Sequence, residues 1–223
     1  MSEQVPAEQA LVIAERAADL AKNSTEMGGQ EATLWQRRDL DFSELCNKLN
    51  FKTYIAALGT ALLAKATNRR IDAYGLKASD QAGHGSYSAR HVVSVLVDVS
   101  RRRKFDLGAR GREPMNNRPF INNSRITLDM NVQPQAQPAL EILCKLCHEV
   151  NQLDEKRALV ALAAYMVVRA KYVPQYDLEI GKLAIESADQ LSLAIQEFVT
   201  EKSERGLRAQ GCVGGLLDLL YDP

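Results

Sequence analysis

The 223-residue sequence contains few cysteines and histidines, four of the former and three of the latter. Four cysteines scattered over a chain of this size are too few for the disulfide framework that small secreted proteins use. The histidines, His84, His91 and His148, have no partners at the spacing of a catalytic triad or of a metal-ligand pair. The sequence therefore argues against a disulfide-bonded scaffold and against a hydrolase built around histidine.

Long hydrophobic runs and a signal peptide are also missing. The most apolar run, Tyr54–Ala64, is about half as long as a membrane-spanning helix requires. The N-terminal residues include acids where a signal peptide needs basic side chains. With 46% hydrophobic residues, a chain of this length can nevertheless bury a proper core. We therefore expect a soluble, cytoplasmic protein that forms a single domain over residues 1–223 and has no membrane partner.

One short motif, at Cys144, Cys147 and His148, spells CKLCH and matches the pattern of covalent haem attachment. Haem attachment belongs to exported proteins, however, and this motif lies inside an amphipathic helical segment. A zinc site would need a second Cys or His pair at ligand spacing, which the sequence lacks. We therefore interpret the two thiols as small, partly buried side chains on a helix face, and expect no haem.

Helical periodicity dominates the sequence, and we predict a mainly α, multi-helix domain. The first predicted helices are Pro6–Asn23, Asp41–Leu49 and Lys52–Ala66. The next helix is capped by Ser86 or Ser88 and ends at Arg101–Lys104. Residues 134–223 form a scaffold of four predicted helices: Pro138–Gln152, Asp154–Tyr172, Ser187–Ser203 and Arg205–Leu220. Residues 105–124 instead predict a long, ordered, basic and Asn-rich loop. The alternating apolar residues of Ile126–Val132 predict a strand that pairs with Arg70–Leu76 as one small β ribbon.

Although the whole chain has a net charge of zero, residues 84–126 are strongly basic. This basic segment contains nine Arg and Lys side chains against three acidic ones, a local excess of six positive charges. A basic island on a neutral protein indicates one surface that faces a polyanion. Its Asn, Ser and Tyr side chains can hydrogen-bond base edges and phosphates, and arginine presents two parallel donors that match guanine or a phosphate.

The candidate DNA-binding residues of the basic segment fall into three groups. Cations at the end of the predicted helix are expected to neutralise phosphates: Arg101, Arg102, Arg103 and Lys104. Loop residues are expected to contact base edges: Arg110, Arg112, Asn116, Asn117 and Arg118. The other candidates flank these two groups: Ser86, Tyr87, Ser88, Arg90, Asn122, Asn123 and Arg125. Two alternatives stay open, a loop that docks on a partner protein and a purely structural loop held by its own asparagines.

The sequence contains no convincing reaction centre. A metal-dependent nuclease needs clustered carboxylates, often with a nearby lysine. Asp177, Glu179 and Lys182 come closest to that arrangement, but no second acidic strand accompanies them. Asp154–Lys156 opens a predicted helix, and we interpret it as a solvated helix start. We therefore expect binding chemistry, with no catalytic residue, metal ligand or cofactor in these 223 residues.

Three short blocks of the basic segment have a recognisable pattern: YSAR at Tyr87–Arg90, DLGARGREPMNNRPF at Asp106–Phe120 and SRI at Ser124–Ile126. They resemble the N-terminal half of SacI-type restriction endonucleases, which has a Tyr-Ser-Ala-Arg helix start, an Asn-Asn-x-Pro-Phe loop and a closing Arg-Ile. The C-terminal stretch Ser203–Pro223 is similar to the helix that precedes the nuclease region of that family.

The resemblance implies that the whole protein is a type II restriction endonuclease of a restriction-modification system for phage defence. Such an enzyme would be a magnesium-dependent, site-specific double-strand deoxyribonuclease, and a homodimer on a palindromic site. In that family the nuclease core follows the point where this sequence stops, at Asp222 and Pro223. We therefore expect this chain to bind double-stranded DNA sequence-specifically without a complete cleavage centre, which leaves open whether it is itself an enzyme. The rival hypothesis is a helical protein–protein interaction module whose basic loop docks a partner protein.

Overall fold

The computed structural model describes most of the chain, and the account below is confined to that part. The described residues are 5–23, 29–78, 84–109, 113–173, 187–201, 206 and 208–214. The chain divides into two compact units, Met1–Pro174 and Gln175–Pro223. The single domain expected over residues 1–223 stays a prediction.

The mainly α fold predicted from the sequence is confirmed. The helices of the first unit are α1 (Ala7–Lys22), α2 (Gln30–Leu49), α3 (Thr53–Thr67), α4 (Ala89–Arg103), α5 (Arg118–Asn122), a short 3-10 helix (Pro134–Ala136), α6 (Gln137–Asn151) and α7 (Glu155–Ala170). The second unit contains α8 (Ala188–Glu201), and its described residues 208–214 are also helical. None of the helices among the described residues combines the length and the hydropathy needed to cross a membrane.

The centre of the first unit is formed by α3 and α7, whose side chains are buried on nearly every side. Helix α7 packs against α1, α2 and α3, while α3 also packs against α4 and α6. The two central helices approach closely where Gly59 of α3 faces Tyr165 of α7. A Cβ at Gly59 would lie 2.6 Å from the Tyr165 ring, and the Tyr165 hydroxyl donates to the Ile55 carbonyl at 3.2 Å. Only glycine allows this approach.

Helix α4 has the boundaries that its sequence predicts. The Ser88 hydroxyl accepts a hydrogen bond from the His91 backbone N–H at 3.4 Å, which caps the first turn. At the other end Lys104 adopts the left-handed conformation, with φ 59°, and its N–H donates to the Ser100 carbonyl. The apolar face of α4 is buried against α1 and α3. Helix α4 is therefore capped at both ends and packed on one side, and its opposite face is exposed to solvent.

The predicted β ribbon is not confirmed. The two segments meet at one isolated antiparallel bridge, between Gly75 and Arg125. Beyond that bridge the chain turns, since the Met130 N–H donates to the Thr127 carbonyl, and the Leu128 side chain is 55% exposed. Two hydrogen bonds flank the bridge, from the Leu76 N–H to the Ser124 carbonyl at 2.9 Å and from the Ile126 N–H to the Tyr74 carbonyl at 2.8 Å. The apolar alternation beyond Ile126 belongs to the turn, so the pairing does not extend into a strand.

The predicted Asn-rich loop is also not confirmed as a continuous loop. Residues 118–122 form the short helix α5, with Pro119 in its first turn. Phe120 of this helix is buried and packs edge-to-face on Tyr54 of α3, with ring centroids 5.3 Å apart. Proline favours a helix start because its fixed φ suits the first turn and its missing N–H is not needed there. The Asn-Asn-x-Pro-Phe block therefore has a clear structural role in anchoring this part of the chain.

The thiols of the CKLCH motif are buried in the described structure. Cys147 is fully buried and Cys144 is 9% exposed, both on the inner side of α6. Burial raises the pKa of each thiol, because the thiolate would lose its hydration. His148 is exposed on the same helix.

Candidate nucleic-acid interface

The blocks that resemble the restriction-enzyme family meet at one cavity of about 340 Å³. One wall comes from the first turns of α4, with Ser88, Arg90 and Val93, and the other from Glu113, Met115 and Asn116 together with α5. Residues from 88–90 and from 113–121 are separated by more than twenty positions in the sequence, yet they line the same space. The cavity has an apolar floor and polar side chains at its opening.

A charged pair connects the two walls of this cavity. Arg90 Nη2 donates a hydrogen bond to Glu113 Oε2, and the two side chains are 69% and 46% exposed. Exposed pairs of this kind contribute little to stability, because water screens the attraction and two flexible side chains must be ordered. Glu113 was not among the residues singled out from the sequence. The signal that could have identified it is its negative charge, because the basic segment contains only three acidic residues.

Two of the candidate residues before α4 lie in the interior. Ser86 is fully buried, and Tyr87 is 2% exposed with its ring against Gly75. Burial raises the pKa of the Tyr87 phenol well above its ordinary value. These two residues support the wall of the cavity from behind, whereas Ser88 reaches the surface as the cap of α4.

The four asparagines of the basic segment have different environments. Asn117 caps α5, since its side-chain oxygen accepts from the Phe120 N–H at 3.4 Å. The Asn123 amide donates to the Pro119 carbonyl at 2.7 Å and closes the same helix. Asn116 and Asn122 are exposed and make no side-chain hydrogen bond within the described structure, and only Asn116 lines the cavity. Asn116 is therefore the asparagine whose amide is most available to a ligand.

The cations at the C-terminal end of α4 are not equally available. Arg102 and Arg103 form ion pairs with Glu15 of α1, at 2.9 and 2.6 Å, and Arg103 also pairs with Asp19. These contacts fix α4 to α1. Arg101 and Lys104 are exposed and have no ion-pair partner among the described residues. The phosphate-neutralising charge predicted for this cluster is thus concentrated on Arg101 and Lys104.

The exposed face of α4 runs between these two basic ends. Arg90 and Arg101 lie eleven residues apart, so they point to the same side of the helix about 17 Å from each other. The exposed residues between them are His91, Ser94 and Asp98. The described part of the basic segment therefore presents a basic pole at each end of one helix face, with neutral and acidic groups in the middle.

Arg125 has a structural partner. Its Nη2 pairs with the Asp72 carboxylate, and its guanidinium lies over the Tyr74 ring at 5.9 Å. Asp72 also accepts from the Tyr74 N–H and from the Asn151 amide, which joins this loop to α6. The closing Arg-Ile block consequently holds the wall of the cavity in place.

Other candidates have simpler positions. Arg118 is exposed at the start of α5, without an ion-pair partner in the part of the chain that the structure describes. Arg110 and Arg112 lie outside the described residues, as do Asp177, Glu179 and Lys182. Lys77, which the sequence did not single out, is exposed at the opening of the cavity. It lies outside the basic segment in the sequence, so only the fold brings it to this surface.

The described residues provide no metal centre. They contain no group of three or more His, Cys, Asp or Glu side chains placed to hold a metal ion. No metal-dependent step is assigned to these residues.

Comparison with known proteins gives the relationships of the chain. The family described as the SacI restriction endonuclease N-terminal domain matches residues 30–171. A curated relative, the type II restriction enzyme SacI of Streptomyces achromogenes, is 33% identical over 176 residues, which cover 76% of this chain and 48% of the relative. The chain thus spans about half the length of the curated relative that it matches. The matched region contains helices α2 to α7 and the cavity between α4 and α5. The chain belongs to the family of the SacI restriction endonuclease N-terminal domain.

Proposed function

We propose that this chain binds double-stranded DNA sequence-specifically, as the recognition part of a type II restriction endonuclease. The observation that supports this most is the cavity between α4 and α5. It is lined by Asn116, whose amide has no hydrogen-bond partner among the described residues, and by the exposed cations Lys77 and Arg90. An amide that can both donate and accept, beside guanidinium and ammonium donors, suits base edges and phosphates together.

The length of α4 supports contact with one duplex. Its 15 residues extend about 22 Å, which is less than one turn of B-DNA, about 34 Å. Arg90 at one end and Arg101 with Lys104 at the other can therefore contact the same duplex. In this arrangement the end near Asn116 contacts base edges, while Arg101 and Lys104 neutralise phosphates.

The proposal extends to the whole protein on the basis of the family. We propose that the complete enzyme is a magnesium-dependent deoxyribonuclease of a restriction-modification system, active as a homodimer in the cytoplasm. The cleavage centre then belongs to residues other than those described here. Incubating this chain with plasmid DNA and magnesium should leave the plasmid intact, whereas double-strand cuts at one sequence would contradict the division of roles.

Selection from a pool of randomised duplexes tests the DNA proposal. The purified chain should enrich one short sequence, and its retention of duplex DNA should fall steeply as salt is raised. Retention that is absent even at low salt would contradict the proposal. That outcome would favour the alternative, a helical module whose basic loop docks a partner protein.

A further inference from the structure

Phosphate binding does not explain why Arg90 is paired with Glu113. An acid at a surface that binds a polyanion repels phosphates, and an exposed ion pair contributes little to folding. Glu113 nevertheless lies beside the cavity opening, with nearly half of its side chain exposed. A carboxylate in such a place is useful if it accepts hydrogen bonds from base amino groups.

The Arg90–Glu113 contact leaves further hydrogen-bond donors on Arg90 and an acceptor on Glu113. The contact joins Arg90 Nη2 to Glu113 Oε2. Within the described structure, Arg90 Nη1 and Nε and Glu113 Oε1 make no other hydrogen bond. The pair therefore offers donors on the arginine side and an acceptor on the glutamate side, held next to each other.

This pattern is complementary to one type of base pair. In the major groove a G·C pair shows the guanine acceptors N7 and O6 and then the cytosine N4 donor, whereas an A·T pair shows acceptor, donor and acceptor. We propose that Arg90 and Glu113 act as one unit that reads a G·C pair, Arg90 donating to guanine and Glu113 accepting from cytosine. The inference rests on the proposed function of duplex binding.

The position of the pair agrees with this role. Arg90 lies in the first turn of α4, and the N-terminal residues of a recognition helix are those that contact base edges in several DNA-binding folds. The Ser88 cap and the buried Tyr87 fix the direction of that turn. Glu113 approaches from the opposite wall, so both side chains can meet the same base pair.

Selection from randomised duplexes with matched variants tests the unit. The wild-type chain should enrich a G·C pair at one or more positions of its site. Glu113→Gln should lower the G·C preference at such a position roughly tenfold, since one specific contact carries about that discrimination, and leave other positions unchanged. Glu113→Gln should also strengthen binding to unrelated duplexes, because a negative charge is removed. Arg90→Lys, which loses the planar pair of donors, should weaken the preference at the same position.

A charge-matched control separates these effects from general electrostatics. Glu141 is also an exposed glutamate, but it lies on α6 and lines a different cavity. Glu141→Gln should therefore leave the selected sequence unchanged. The unit is overturned if the wild type enriches a sequence and neither Arg90→Lys nor Glu113→Gln changes any position of it. If the wild type enriches no sequence and shows no salt-sensitive retention, both this inference and the proposed function are overturned.

Discussion

The guanidinium of Arg169 in α7 binds both the carboxylate and the backbone carbonyl of Asp106. Arg169 Nη2 lies 3.1 Å from Asp106 Oδ2, and Arg169 Nε donates to the Asp106 carbonyl. The Arg169 side chain is fully buried, and its Nη1 donates to the Ser43 hydroxyl at 3.0 Å. Asp106 in turn accepts from the N–H of Gly108, which has a φ of 82°. The Asp-Leu-Gly start of the family loop is therefore a structural anchor.

Replacing Arg169 with alanine should destabilise the first unit by about 3 kcal/mol or more. Arg169 is fully buried, and its removal takes a donor from the buried Ser43 hydroxyl and from the Asp106 carboxylate, which is 36% exposed. Urea denaturation measures the change in the free energy of unfolding. Arg157→Ala on the same helix is the control, because its exposed pair with Glu31 should contribute only about 0–1 kcal/mol. Equal, small losses in both variants would contradict the anchor.

Asp39 makes the stability of the fold depend on pH. Burial raises the pKa of this carboxyl from 3.8 to about 7, with Arg169 and the Ser43 hydroxyl opposing the shift. The folded protein therefore keeps the proton to a higher pH than the unfolded chain does. The stability contributed by the neutral acid is fully present below about pH 4, declines as the pH rises, and is lost above about pH 7.

Asp39→Asn removes this titration and should stabilise the protein at pH 8 by a few kcal/mol, on the order of 4. Near pH 4 the variant and the wild type should be similar, because asparagine resembles the neutral acid. Thermal unfolding between pH 4 and pH 8 shows the difference, with the exposed Asp41→Asn on α2 as control. A variant that is less stable than the wild type at pH 8 would mean that Arg169 stabilises the Asp39 carboxylate more than burial destabilises it, which contradicts a raised pKa.

Asn117 has a capping role that must be separated from any contact with DNA. Asn117→Ala should lower stability by about 1 kcal/mol, since the N–H of Phe120 loses its acceptor. Asn117→Ser keeps a capping oxygen and removes the amide donors, so it should retain stability and relax sequence preference. Thermal unfolding combined with duplex selection distinguishes the two. If Asn117→Ser kept the wild-type preference, Asn117 would be a structural residue only.

The cations at the end of α4 should divide into two kinds. Replacing Arg101 and Lys104 together with glutamine should make the slope of log affinity against log salt shallower by about 1.8, or 0.9 for each lost phosphate contact. Arg103→Gln should instead weaken the attachment of α4 to α1, because it breaks the contacts with Glu15 and Asp19. Lys145→Gln, an exposed change on α6, is the control for the salt slope. An unchanged slope in the double variant would exclude Arg101 and Lys104 from phosphate contact.

Much of the helical fold could be predicted from the sequence, because it depends on local signals. The apolar spacing in α4, the Ser88 cap and the Asp154 cap of α7 are all properties of neighbouring residues. The predicted strand failed for a related reason. Alternation over Ile126–Val132 is a local pattern, but a strand also needs a partner, and here only one bridge forms.

The candidate site was less predictable, because its electrostatics depend on contacts between distant residues. The pairing of Arg103 with Glu15 joins positions 88 apart in the sequence, and Arg169 meets Asp106 across 63. Neither contact follows from spacing or composition. The burial of Tyr87 was also hidden, since a tyrosine before a helix suits solvent and core equally well. The charge of the basic segment was evident from the sequence, but not which cations already have partners.

The most direct test of the account is the affinity of the chain for its selected duplex relative to a scrambled duplex of the same composition. Both affinities are measured by fluorescence anisotropy at the same, near-physiological salt concentration. The selected duplex should bind at least about 10³-fold more tightly than the scrambled one, as is typical of specific DNA-binding proteins. Equal affinity for the two duplexes would contradict sequence-specific recognition by this chain.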